Sequence, residues 1–282
     1  MSATFGTATI GVFDSGFGGL TVLKALLKRM PGARFVFLGD TARLPYGSKS
    51  RRTIARYAAE SAQFLVREQG AEFLVIACNT ASALALDAIK EAVDVPVLGV
   101  IEPGAAAAAE SSTTRDVLVI ATEATVASHA YAGACRALGL RAVEKACPLL
   151  VPLVEEGWVD HPVTAEVVRI YLNDLMEQAR VEGLSPDALV LGCTHYPLLR
   201  PVFEKAVPKG MRVIDSAEAT AAEAVRCFSQ VSDARPFDGF RAGSGAPGIR
   251  CFATDSVEKF ERLGSRFLGL PVGKVELVDL GG

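Results

Sequence analysis

Six short apolar runs limit how this chain can fold. They are TIGVF (9–13), FVFLG (35–39), FLVIA (73–77), VPVLGV (95–100), VLVIA (117–121) and ALVLG (188–192). Each is continuous rather than alternating, is five or six residues long and is bounded by Gly, Asp or Thr, which suits parallel strands buried on both faces. Between them lie segments with helical spacing, such as 50–68 and 162–180. In the first of these, Ile54, Tyr57, Ala58, Ser61 and Leu65 recur every three or four residues. GAAAAAE (104–110) reads as helix and DGFRAGSGAPG (238–248) as a surface loop. Strands alternating with helices predict an α/β fold with helices on both faces of a mostly parallel sheet. Ligands in such folds sit at the carboxyl ends of the strands, and Asp14, Asp40, Cys78, Thr122 and Cys193 fall there.

A weak internal repeat refines that picture. GVFDSGFGGLTVLKAL and, about a hundred residues on, VLVIATEATVASHAYAGA are both strand, polar turn and helix, and each precedes a strand that ends on a cysteine. The simplest reading is two similar halves, each giving one thiol to a cleft between them.

Composition narrows the function classes. With 282 residues, half of them hydrophobic, the chain can bury one large core or two ordinary ones. A net charge of −3, with no basic run longer than KSRR (49–52), argues against nucleic acid as the main partner. No apolar stretch approaches the roughly 20 residues of a membrane span, and MSATFGTATI lacks the build of a signal peptide. A cytoplasmic protein is therefore expected, with its six cysteines reduced. None is spaced C-x-x-C, and the histidines are scattered at 129, 161 and 195, so no structural zinc site is expected.

Three motifs carry chemistry. DSGFGG (14–19) invites a dinucleotide-binding assignment, but counting from Gly16 the last position of G-x-G-x-x-G is Thr21, so NAD is rejected. What remains is Asp14 and Ser15 beside helix-start amides able to receive an anion, or simply two helix-capping residues. GDTARLPYGSKS (39–50) brings Asp40, Arg43, Tyr46 and Gly47 into a strand–helix loop, which reads equally as ligand contact or ordinary connection. The sharpest signal is the pair FLVIACNTAS (73–82) and ALVLGCTHYP (188–197). Cys135, Cys147, Cys227 and Cys251 read as small core hydrophobes. Cys78 and Cys193 differ: each ends an apolar run and precedes hydrogen-bonding groups, Asn79 and Thr80 in one case and Thr194 and His195 in the other. A helix start just after each would lower the thiol pKa. Removing a proton from one face of a carbon and returning one to the other needs an acid and a base that exchange roles with the enantiomer. Two thiols on facing halves meet that need.

Together GVFDSGFGGLTVLKAL, DTARLPYGSKS, ACNTASA, GVIEPGA, LGCTHYPLL and IDSAEATA resemble the glutamate racemases, in order and over nearly the whole chain. The resemblance implies cofactor-independent interconversion of L- and D-glutamate, a small-molecule substrate, for bacterial peptidoglycan. It implies Cys78 and Cys193 as the catalytic thiols, acting on D- and L-glutamate respectively. Asp14, Asp40, Glu155 and His195 resemble the family's acidic or imidazole helpers, although LVEEGW offers Glu156 as well as Glu155. Asp14, Ser15, Tyr46, Gly47, Asn79, Thr80, Thr194 and His195 match its substrate-binding positions, with Thr122 and Thr125 as candidates from the second half. The expected fold is two similar three-layer α/β domains, 1–101 with 214–282 and 102–213, with the active site between them. A homodimer is compatible with the helix-end apolar patches.

Three rival readings stand beside this one. An aspartate racemase resembles this chain in its paired cysteines, but tends to carry an acid where His195 stands. A single-cysteine hydrolase or transferase using Cys193 and His195 asks two residues on one turn to converge, and leaves Cys78 unexplained. A ligand-sensing pair of α/β halves with inert thiols is the third. Some glutamate racemases also bind DNA gyrase, of which the acidic balance gives no sign.

Overall fold

The computed structural model describes residues 8–232 and 248–281. The surface loop expected at 238–248 lies, Gly248 apart, outside the described residues, as does most of the N-terminal stretch.

The strands in chain order are β1 (Thr9–Asp14), β2 (Arg34–Gly39), β3 (Phe73–Ile76), β4 (Val97–Gly99), β5 (Asp116–Ala121), β6 (Arg141–Ala146), β7 (Ala188–Gly192), β8 (Arg212–Asp215), β9 (Ile249–Ala253) and β10 (Val275–Leu277). The helices are α1 (Leu20–Arg29), α2 (Arg51–Gln63), α3 (Asn79–Leu84), α4 (Leu86–Ala92), α5 (Ile101–Ser111), α6 (Glu123–Ser128), α7 (Ala130–Ala137), α8 (Leu150–Glu155), α9 (Pro162–Val181), α10 (Arg200–Ala206), α11 (Ser216–Ser232) and α12 (Val257–Leu268). All six apolar runs are strands, and β1, β3, β5 and β7 are buried at every residue. Burial on both faces is what their unbroken apolar character requires, at about 1.5–3 kcal/mol for each large side chain withdrawn from water.

The strands form two parallel sheets, in the orders β10-β9-β2-β1-β3-β4 and β6-β5-β7-β8. The run β2-β1-β3-β4 has the same connectivity as β6-β5-β7-β8, so the faint sequence repeat is a repeat of topology, with β9 and β10 added to the first sheet only. The largest apolar cluster is continuous through both sheets, from Val12 and Val75 to Leu118, Leu189 and Phe267.

Two helices position the site. The segment read as one helix over 50–68 is α2, capped by the Ser50 hydroxyl accepting the Thr53 amide at 3.3 Å, followed by a wider turn over Phe64–Glu68. Near the C-terminus, α12 buries Phe260, Leu263, Phe267 and Leu268 along one face and ends at Gly269, whose φ of +78° suits glycine. Phe260 packs on Phe37 and Phe17 at 5.8 and 6.4 Å between ring centres, which seats the helix over the end of the first sheet.

Candidate active site

In each sheet the chain leaves the first strand of the repeat for one neighbour and returns to pair on its other side. Such a reversal of strand order opens a crevice at the carboxyl ends. In the first sheet it lies between β1 and β3, in the second between β5 and β7. Asp14 and Cys78 stand at the first crevice, Thr122 and Cys193 at the second.

The Cys78 thiol is almost fully buried. It occupies the N-cap of α3, where its Sγ accepts the Ala81 amide at 3.4 Å and donates to the Ser15 hydroxyl at 3.4 Å. The register of β1 on β3 pairs Phe13 with Ile76, and two more residues along it set Ser15 level with Cys78. Burial pushes the thiol up to about 12, and the charge of Asp14 acts in the same direction. The lowering expected from a helix start is outweighed, because α3 has only six residues and the sulfur is cut off from water. Asp14 accepts the Gly16 amide at 3.0 Å and also faces the amides of Ser15 and Gly19. Burial raises its pKa, opposed by the charge of His195. Asp40 is wholly enclosed. It accepts from the Tyr46 hydroxyl at 2.5 Å and from the Thr254 hydroxyl at 2.9 Å, with Arg43 at 3.7 Å. Its contacts thus hold the Pro45–Tyr46–Gly47 turn, while Tyr46 lies close enough to Cys78 to feel its charge.

The Cys193 side is built differently. Residues 193–195 form a turn, followed by a single tight helical turn (Tyr196–Leu199) and only then by α10. No α-helix starts directly after this thiol, contrary to expectation. The turn instead folds His195 onto Cys193, so the two residues do converge although they are two apart. His195 Nε2 also lies 3.3 Å from Glu155 Oε1, and Glu155 Oε2 lies 3.1 Å from Lys259 of α12. Burial alone would lower the imidazole pKa. Hydrogen bonds to Cys193 and Glu155, with their charges, outweigh it and push His195 up to about 10. Burial likewise acts to raise Glu155, but His195 and Lys259 hold its carboxyl below the usual range. Of the two glutamates in LVEEGW, Glu155 is the one against His195.

The two sides face one another. The Thr21 hydroxyl donates to the Thr194 carbonyl at 3.1 Å. A Cβ on Gly18 would stand 2.4 Å from Thr194 Oγ1 and 2.6 Å from His195 Nδ1, so only glycine permits this approach. The hydroxyls of Thr80, Thr122 and Thr125 form a triangle of 3.0, 3.3 and 2.9 Å joining α3 to α6, and Gly47 lies against Thr122. Asn79 is buried beside them. Its Oδ1 accepts from the Tyr131 hydroxyl at 2.7 Å, and its Nδ2 has no partner among the described residues. Tyr131 was not singled out by sequence reasoning, since one tyrosine in a helical segment looks like any core aromatic.

Cys135, Cys147 and Cys251 are buried with thiols raised to about 11, 12 and 12, and Cys227, half-buried, to about 11. Among the described residues no group of three or more His, Cys, Asp or Glu is placed to hold a metal ion, and no helix is long and apolar enough to cross a membrane.

A family model described as Asp/Glu/Hydantoin racemase matches residues 18–224. The glutamate racemase of Koribacter versatilis is 56% identical to this chain over 97% of its length and 98% of the relative's. That of Geobacter metallireducens is 45% identical over 96% of both chains. Among solved structures, a glutamate racemase from Bacillus anthracis superposes with a TM-score of 0.85 at 36% identity, covering 97% of this chain and 98% of the other. One from Thermus thermophilus, in complex with beta-chloro-D-alanine, gives 0.81 at 44% identity, covering 97% of each. With its paired crevices, each closed by a thiol, and likeness along its whole length, the chain belongs to the Asp/Glu/hydantoin racemase family.

Proposed function

We propose that this protein is a glutamate racemase that inverts the α-carbon with Cys78 and Cys193 as alternating base and acid, without a cofactor. The observation that carries this reading is the placement of the two thiols at equivalent crevices of two like-ordered sheets, next to one shared set of donors. An amino acid held there by its carboxylates meets the Ser15, Thr80, Thr122, Thr125 and Thr194 hydroxyls, the Asn79 amide and the backbone amides after Asp14 and Tyr46. Its α-hydrogen then lies between two sulfurs. One thiolate removes the proton, positioned donors stabilise the carbanion-like transition state, and the other thiol delivers a proton to the opposite face.

Cys193 is the base toward L-glutamate and Cys78 the base toward D-glutamate. Burial holds Cys78 as a thiol able to donate a proton, and His195, raised to about 10, stands beside Cys193. Asp14 lies by Cys78 as His195 lies by Cys193, with Glu155 acting through His195 and Asp40 through Tyr46. In the cell the product would be D-glutamate for peptidoglycan, made in the cytoplasm. The two sheets support a division into 1–101 with the C-terminal part and a middle domain. The pairing of β8 with β7, which runs to Asp215, supports setting the second proposed boundary just after that residue.

Incubation of the purified protein with L-glutamate in D2O, with no added cofactor, tests the reading. The expected result is D-glutamate carrying α-deuterium. Inversion of aspartate instead would reassign the substrate, and no inversion or exchange of either acid would end the racemase reading.

A further inference from the structure

We propose that Tyr131 is a positioning residue for the racemisation, locking the Asn79 amide so that its NH2 group, and not its oxygen, faces the bound amino acid. This inference rests on the proposed function and adds to it a residue from outside both thiol loops.

An asparagine side chain presents a donor or an acceptor according to how its amide is turned, and a substrate carboxylate needs the donor. Asn79 follows Cys78 directly and is buried, so no bulk water chooses between the two orientations. The choice is made by Tyr131, fully buried in the first turn of α7 in the second half of the chain, whose hydroxyl donates to Asn79 Oδ1 at 2.7 Å. With Oδ1 engaged, Nδ2 is left buried and unpartnered among the described residues. Orphaned buried donors are rare because each costs about 1–3 kcal/mol. One at the edge of a donor cluster is accounted for by a ligand that accepts from it.

The phenol is itself held in place. Its ring is wedged between two glycines: a Cβ on Gly192 would stand 2.9 Å from Cε2, and one on Gly104 would stand 3.1 Å from Cε1. Gly192 immediately precedes Cys193, so one ring packs against the second thiol loop while its hydroxyl reaches the first. Burial keeps the phenol far above its ordinary pKa and outweighs Ser216, whose hydrogen bond acts to lower it, so the hydroxyl stays protonated and able to donate to Asn79. A tyrosine serving only the core would need some partner for its hydroxyl, but not the one side chain whose orientation decides ligand polarity.

The test is a cycle of Tyr131→Phe, Asn79→Ala and the double variant, with kcat and KM for both enantiomers and thermal unfolding for each protein. Tyr131→Phe keeps the ring, and freeing the amide is expected to raise KM about tenfold while kcat changes less than about threefold. In the Asn79→Ala background the same change is expected to move KM less than about twofold, since there is no amide left to orient. Replacement of Tyr131 by 4-aminophenylalanine, which keeps a donor, should restore the low KM, and 4-fluorophenylalanine should not. If Tyr131→Phe does not fold, that second pair carries the test. An unchanged KM in Tyr131→Phe, or an equal rise with and without Asn79, overturns the inference. A wild-type protein that inverts neither glutamate nor aspartate overturns the proposed function instead.

Discussion

Cys78 and Cys193 hold the same station in two sheets of the same connectivity, yet the charge around them is opposite in sign. Beside Cys78 stand the carboxyl of Asp14 and the neutral Ser15 hydroxyl, and burial, with Asp14 acting in the same direction, drives the thiol up to about 12. Beside Cys193 stands His195, kept cationic up to about pH 10 and tied through Glu155 to Lys259. A repeated fold thus supplies the symmetry of position that inversion of a carbon requires, while local residues remove the symmetry of charge. On the proposed mechanism, Cys78 is then the resting proton donor and Cys193 the sulfur set beside a cation. Enantiomers have equal free energy, so kcat/KM must be the same in both directions at every pH. The difference between the thiols can appear only in kcat and KM taken separately, or in partial reactions.

The largest effect expected from breaking this comparison is that of removing either sulfur. Cys78→Ala and Cys193→Ala should each lower inversion by about 10³-fold or more, at the upper end of what one acid–base group contributes. They should differ in what survives: Cys193 alone exchanges the α-hydrogen of L-glutamate with D2O, Cys78 alone that of D-glutamate. If both variants exchanged the same enantiomer, the thiols would not face opposite sides of the carbon.

Next in size is the loss of the flanking groups. His195→Asn and Asp14→Asn are each expected to lower kcat/KM about 10²-fold, equally for the two enantiomers. Progress curves from both directions, followed by optical rotation, should show their kcat values falling unequally and in opposite order. Equal changes in kcat would mean the two flanks do the same work.

A smaller effect lies in stability. The pKa of His195 is raised, so its contribution is complete below its ordinary 6.5 and is lost as pH climbs toward about 10. That of Glu155 is lowered, so its contribution is complete above its ordinary 4.5 and is lost as pH falls below. The pair therefore stabilises most between pH 4.5 and 6.5. Melting temperatures of wild type and Glu155→Gln should differ most in that window, by about 2–4 °C, and converge on either side. A gap that widened steadily to pH 10 would contradict the pairing. The smallest effect belongs to Lys259, which is half-exposed: Lys259→Met should change kcat by less than about threefold, and the difference should fade in 1 M salt.

Much of this was legible beforehand. The six strands with unbroken apolar runs were readable because burial on both faces leaves no alternation to confuse them. β6, RAVEKA, lies at a sheet edge and is half-exposed, so it carries no such run. β8 and β10 are three or four residues long, too short to show a period. Cys78, Cys193 and the polar residues after them were visible as a repeated local pattern. Tyr131 and Lys259 were not, because each acts on a residue 52 or 104 positions away and nothing local marks it.

The sequence by itself determined the strand-and-helix alternation, the two like halves and the pairing of thiols at strand ends, all of which follow from hydrophobic period and local order. Only the tertiary structure decided that His195 turns onto Cys193, that Glu155 rather than Glu156 meets it, and that Cys78 is raised rather than lowered. Each of those depends on which distant groups share a water-poor crevice, and in such a place burial and a few facing charges outweigh the helix-end effects that local sequence can foretell.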